Sequence, residues 1–160
     1  MRITCHSDYG KLKRVFVKRP ELAFINDAKI SNEWQRLNFL AKPDFDHSIQ
    51  EFNQLEKLLL AAGTHVEYLP KDETVTLDSI YCRDASIATD FGMIICSMGK
   101  AARVPEPAAS AKAFERAHVK ILGAINLPGT VEGGDVAWVD EHTLAVGHTY
   151  RTNKAGIAQL

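Results

Sequence analysis

Two stretches of this chain begin alike, Asp84-Ala85-Ser86-Ile87-Ala88 and Asp135-Val136-Ala137-Trp138-Val139, 51 residues apart (135 − 84 = 51). In each, an acid opens a run of β-formers, a short turn follows, and a second apolar run comes next. An arginine, Arg103 or Arg151, then precedes a helical segment. A strand–turn–strand–helix–strand unit recurring at about 50 residues cannot cover its own apolar face, so neighbouring units must do so. Radial repetition of the propeller kind meets that demand. The chain holds two such units and the start of a third.

Residue patterns place the elements. Leu12–Lys18 reads as a strand on Val15, Phe16 and Val17, closed by Arg19-Pro20. Residues 21–46 look less regular, with a break at Lys42-Pro43-Asp44. From Asp46 to Ala62, Ile49, Phe52, Leu55, Leu58, Leu59 and Ala62 recur at helical spacing, and Gly63 suits the C′ position. Thr64–Leu69 alternates as a strand. Ala85–Thr89 and Met93–Ser97 are strands, Glu106–Ala117 a helix and Val119–Ile125 a strand. After Pro128-Gly129 come strands Val136–Val139 and Thr143–Gly147. Thr152 is the predicted N-cap of a helix beginning at Asn153. That helix has about two turns before Leu160, so the chain is expected to stop inside a structural unit.

Composition narrows the class. The 160 residues carry 19 basic and 20 acidic side chains, a formal net charge of −1. This gives no electrostatic footprint for nucleic acid or an anionic membrane. No apolar run approaches the roughly 20 residues that span a bilayer, and the N-terminus lacks a secretory h-region. Three cysteines, Cys5, Cys82 and Cys96, cannot all pair and have no metal spacing. A reducing, cytoplasmic compartment is the reading.

Several residues bear chemistry, each with a plainer role beside it. Arg103 and Arg151 follow the second strands of successive repeats, where positions in a ring converge on the axis. Their planar forks match carboxylates, though spacing alone favours solvated helix-end arginines. Asp78, Asp84, Glu132 and Asp135 suit a guanidinium by charge-assisted hydrogen bonds, or simple turn chemistry. Gly133-Gly134 permits close backbone approach and is no phosphate loop, since no Lys-Ser/Thr follows. Cys82 sits beside Arg83, a neighbour able to lower a thiol pKa, but no cysteine has an activating histidine in sequence and packing is the favoured reading; Cys96, in Met93-Ile94-Ile95-Cys96, reads as core packing. His142 and His148 flank the last strand and read as surface residues.

The ordered series Tyr9-Gly10-Lys11-Leu12-Lys13-Arg14-Val15, Tyr81-Cys82-Arg83-Asp84, Arg103-Val104-Pro105-Glu106, Glu132-Gly133-Gly134-Asp135-Val136 and Arg151-Thr152-Asn153-Lys154-Ala155-Gly156 resembles the guanidino-group-modifying superfamily. Its members include dimethylarginine dimethylaminohydrolases, arginine deiminases and amidinotransferases. The resemblance implies an α+β pentein fold, a five-bladed ββαβ propeller with an axial site. Residues 1–160 would form one partial domain, about half the ring. The blades fall roughly at 1–70 and 71–127, with a third starting at 128–160.

By the same resemblance, Asp84 grips the substrate guanidinium and Asp78 lies near the substrate amino group. Arg103 and Arg151 hold the substrate carboxylate. Glu132 partners a catalytic histidine, while Gly133, Gly134 and Asp135 support that motif. Arg83 stands where dimethylarginine hydrolases place a second acid, and the helical insertion of arginine deiminases is absent. The histidine and the cysteine nucleophile would fall beyond Leu160. The expected chemistry is covalent. A thiolate attacks the guanidinium carbon, an amine or ammonia leaves, and water or a second amine resolves the intermediate, without metal or organic cofactor. The chain alone is expected to be inactive on its arginine-like small-molecule substrate. An open ring would associate with itself or with a missing C-terminal half. The alternative is a non-catalytic pentein-fold ligand-binding or interaction protein, because fold does not fix function.

Overall fold

The computed structural model describes residues 8–160. Cys5, named above, lies outside them. The described residues form a mixed α+β chain that divides into two compact units, Lys11–Cys82 and Arg83–Leu160, the latter including residues 8–10.

In the Lys11–Cys82 unit, β1 (Arg14–Val17) and β2 (His65–Tyr68) pair in parallel, with Val15 opposite Val66 and Val17 opposite Tyr68. Three helices lie between them: α1 (Pro20–Ala23), α2 (Asp27–Glu33) and α3 (Phe45–Ala61). A parallel pair needs such a crossover. The first two helices occupy residues expected to be irregular. Pro20, read as a strand stop, is at the start of α1, where its missing N–H costs nothing. Asn26 caps α2 by accepting the Lys29 N–H at 2.9 Å. Helix α3 matches its periodic pattern. Asp44 caps it through the His47 N–H at 2.7 Å, and Gly63 follows its end at φ 77°. The apolar stripe is only partly buried, however. Phe52 is covered, whereas Leu55 and Leu58 remain 48% and 69% exposed.

In the Arg83–Leu160 unit, the repeat takes physical form. Strands β3 (Ser86–Thr89) and β4 (Gly92–Ile95) make a hairpin, and α4 (Glu106–Arg116) returns the chain so that β5 (Ile121–Ala124) runs parallel to β4. Strands β6 (Val136–Trp138) and β7 (Leu144–Val146) make the second hairpin, followed by α5 (Lys154–Gln159). Each opening acid lies on a 3-10 turn just before its hairpin, Cys82–Ala85 and Gly133–Asp135. The hairpins meet through the Trp138 indole N–H, which donates to Ala88 O at 3.0 Å. Ile87, Cys96, Met98, Ile125, Val131 and Val136 form their shared core. Among the described residues, no helix is long and apolar enough to cross a membrane.

Candidate functional site

The second strand of each hairpin leads into a loop that delivers an arginine. After β4 the chain passes Gly99, where a Cβ would stand 2.5 Å from the Arg151 Cα. The 3-10 turn Ala101–Arg103 then runs into α4. Pro105 sets the helix start, and the three-residue spacing brings Glu106 onto the side of Arg103. Arg103 Nε donates to Glu106 Oε1 at 2.9 Å and Nη2 to Oε2 at 2.7 Å, a two-pronged fork. Arg103 Nη1 donates to Asp84 Oδ2 and stands 3.9 Å from Glu132 Oε2. Burial opposes the charge on Arg103, but Glu106 and then Asp84 outweigh it and hold the guanidinium pKa above its ordinary value.

Glu132 is the second hub. Its Oε1 accepts the N–H groups of Gly99 at 3.2 Å and Lys100 at 3.1 Å, and its Oε2 accepts Arg151 Nη1 at 2.9 Å. The hydrogen bond to Glu132 raises the Arg151 pKa against partial burial. Arg151 also lies over the Tyr150 ring, 5.3 Å from its centroid. Asp135 supports this arrangement from behind. Its Oδ2 accepts the hydroxyls of Thr152 at 2.6 Å and Thr149 at 2.8 Å. Thr152 Oγ1 in turn accepts the Glu132 N–H at 3.1 Å, and Thr149 Oγ1 accepts the Arg151 N–H at 3.0 Å.

Thus Asp84, Arg103, Glu132 and Arg151 join one ion network, with Asp135 bracing its loop. Asp78 belongs to the Lys11–Cys82 unit, 3% exposed on the 3-10 turn Leu77–Ile80. Two sequence readings are corrected. Arg103 is not a solvated helix-end residue; it is 2% exposed, because three carboxylates compensate its charge there. Thr152 is not the N-cap of α5. Asn153 caps it, accepting the Gly156 N–H at 2.8 Å, while the Thr152 hydroxyl is committed to Asp135. Sequence reasoning gave Glu106, Thr149 and Thr152 no place in the site; the Arg-x-x-Glu spacing was the one signal for the first.

The glycine pair separates into two roles. A Cβ on Gly133 would lie 2.3 Å from Arg83 O and 2.9 Å from Ser86 O, both backbone atoms. A Cβ on Gly134 would meet only the Asp84 carboxylate, 2.5 Å from Oδ1.

The thiols stand apart from this chemistry. Cys96 is 4% exposed, and burial, reinforced by the charge of Asp84, pushes its thiol up to about 12 against a Gly133 N–H hydrogen bond. Cys82 Sγ donates to Phe16 O at 3.7 Å. Arg83, the residue beside Cys82 that could act on its thiol, turns its guanidinium to Asp8 at 3.2 Å and Val136 O at 2.8 Å. A thiol pKa raised in the folded state stabilises fully below about pH 9 and loses that contribution as pH climbs toward about 12. Urea midpoints should therefore fall more steeply above pH 9 in the parent than in Cys96→Ala. Equal slopes would contradict the assignment. Among the described residues, no group of three or more His, Cys, Asp or Glu side chains is arranged to hold a metal ion.

The arginine deiminase family model matches residues 42–160, most of the chain. The chain belongs to the arginine deiminase family. This places it in the guanidino-group-modifying, or pentein, superfamily. It is similar to the dimethylarginine dimethylaminohydrolase of Pseudomonas aeruginosa, at 30% identity over 121 residues, 76% of this chain and 47% of that protein. Its fold is also that of a Pseudomonas aeruginosa DDAH mutant complexed with citrulline, with a TM-score of 0.76 at 24% identity, covering 94% of this chain and 55% of that one. An inosamine-phosphate amidinotransferase of Streptomyces griseus shares the fold at 14% identity, TM-score 0.71, covering 98% and 58%. This arginine deiminase family member spans about half the length of the curated relatives it matches.

Proposed function

We propose that this chain carries the ligand-gripping part of a guanidino-group-modifying site, in the half of a five-bladed ββαβ ring that precedes the catalytic histidine and cysteine. The observation that carries this reading is the exposed acid of the ion network. Glu106 and Glu132 have side chains 3% exposed, whereas the Asp84 side chain is 20% exposed beside Arg103. A ligand cation offering planar N–H donors, such as an arginine-like guanidinium, fits that accessible carboxylate. Asp84 is then the acid that receives it. Arg151, whose side chain is 29% exposed, meets the ligand carboxylate first, with Arg103 behind it. Glu132 orients the general acid/base histidine. A thiolate then displaces an amine or ammonia from the guanidinium carbon, and water or an acceptor amine completes hydrolysis or amidino transfer in the cytoplasm.

The test is an NMR titration of the chain with L-arginine and with L-citrulline. The two share an amino acid end, but only the first brings a cation. Tighter binding of L-arginine is expected, since only its guanidinium offers the Asp84 carboxylate a charge-assisted partner. Equal affinities would contradict this role of Asp84. Binding without turnover, even in the presence of flanking sequence, is the outcome of the non-catalytic alternative.

A further inference from the structure

We infer that Gly134 is a positioning residue that keeps one edge of Asp84 open to a guanidinium ligand; this rests on the site proposed above. Asp84 Oδ2 is taken by Arg103 Nη1, and among the described residues Oδ1 accepts no hydrogen bond. The Asp84 side chain is 20% exposed, so this oxygen is the part of the carboxylate a newcomer can reach. What lies beside it is the missing side chain of Gly134. A Cβ there would stand 2.5 Å from Oδ1 and 3.6 Å from Cγ, and would meet nothing else within 4 Å. Gly134 is exposed and its φ lies outside the left-handed range, so neither backbone geometry nor packing requires glycine.

The cost of a side chain at this position therefore falls on Asp84 alone. A methyl group would occupy the approach to Oδ1, the carboxylate yielding slightly while Oδ2 stays on Arg103. The ligand then loses its charge-assisted partner while the fold keeps its contacts. Gly133 differs, since its missing Cβ faces the carbonyls of Arg83 and Ser86. The two adjacent glycines thus serve separate ends: the first lets the backbones approach, and the second clears the ligand's path.

Gly134→Ala should weaken binding of both L-arginine and agmatine roughly tenfold or more, because the two share only the guanidinium end. Its thermal midpoint should match that of the parent. NMR titration of parent and variant reads the first, and calorimetry the second. Unchanged affinities would overturn the inference while leaving the proposed function standing. If the parent binds neither compound, the proposed function fails and this inference fails with it. The structure of the variant gives a readout that does not depend on ligand. An Asp84 carboxylate still on Arg103 with Oδ1 capped by the new methyl is expected; an Oδ1 left uncovered would overturn the inference.

Discussion

Glu106→Ala should destabilise the Arg83–Leu160 unit by about 3–5 kcal/mol, among the largest effects of any single substitution in this chain. Glu106 and Arg103 are 3% and 2% exposed, and the glutamate takes both prongs of the arginine fork. Removing it leaves a buried guanidinium that cannot shed its proton and cannot reach water. Asp84 would then be its main counter-charge, held tighter and less available to a ligand. Urea unfolding should show the loss of stability, and L-arginine affinity should fall with it. Lys71→Ala is the control. Lys71 pairs with Glu73 at 2.6 Å, but the side chains are 46% and 74% exposed, so the change should stay within about 0.5 kcal/mol. A Glu106→Ala variant as stable as the control would mean the fork is not holding Arg103 in place.

Gly133→Ala is expected to have the second large effect, through the backbone. The new methyl would lie 2.3 Å from Arg83 O and 2.9 Å from Ser86 O, atoms that cannot swing aside as a side-chain tip can. One of two turns must move, and both precede hairpins of the shared core. Overpacking of this kind costs roughly 1–3 kcal/mol, at the upper end where backbone must give. Circular dichroism melting should place Gly133→Ala well below the parent. A midpoint equal to that of the parent would show that the two turns are not in contact through this glycine.

Much of the Arg83–Leu160 unit was legible in sequence because its signals are periodic. The 51-residue repeat appears as two hairpins, each preceded by a 3-10 turn that carries the acid. Helix α3 was legible from its spacing and from Gly63. Helices α1 and α2 were not, because four and seven residues are too few to establish a 3.6-residue period. Their start signals were present, but Pro20 was read as a strand stop and Asn26 lay in a stretch read as irregular. Leu58 shows the reverse error, since helical spacing identifies a stripe without saying that anything covers it. In the site, the resemblance named Asp84, Arg103, Glu132 and Arg151, and the structure joins them in one network. The burial of Arg103 was illegible. Ala101-Ala102-Arg103-Val104 resembles any helix entry, and its compensation comes from acids up to 29 residues away (132 − 103 = 29). Thr152 was misassigned because a threonine before a helix is a common cap, and only the fold reveals Asp135 as its partner.

The most direct measurement of the central claim is L-arginine binding by Asp84→Asn beside the parent chain. Asparagine keeps the shape and one carbonyl oxygen while removing the charge that the ligand guanidinium would meet. The parent should show L-arginine-dependent NMR shifts at Asp84, Gly134 and Arg151, and the variant should lose them while keeping the parent's spectrum elsewhere. A folded Asp84→Asn variant that binds L-arginine with unchanged affinity would contradict the account.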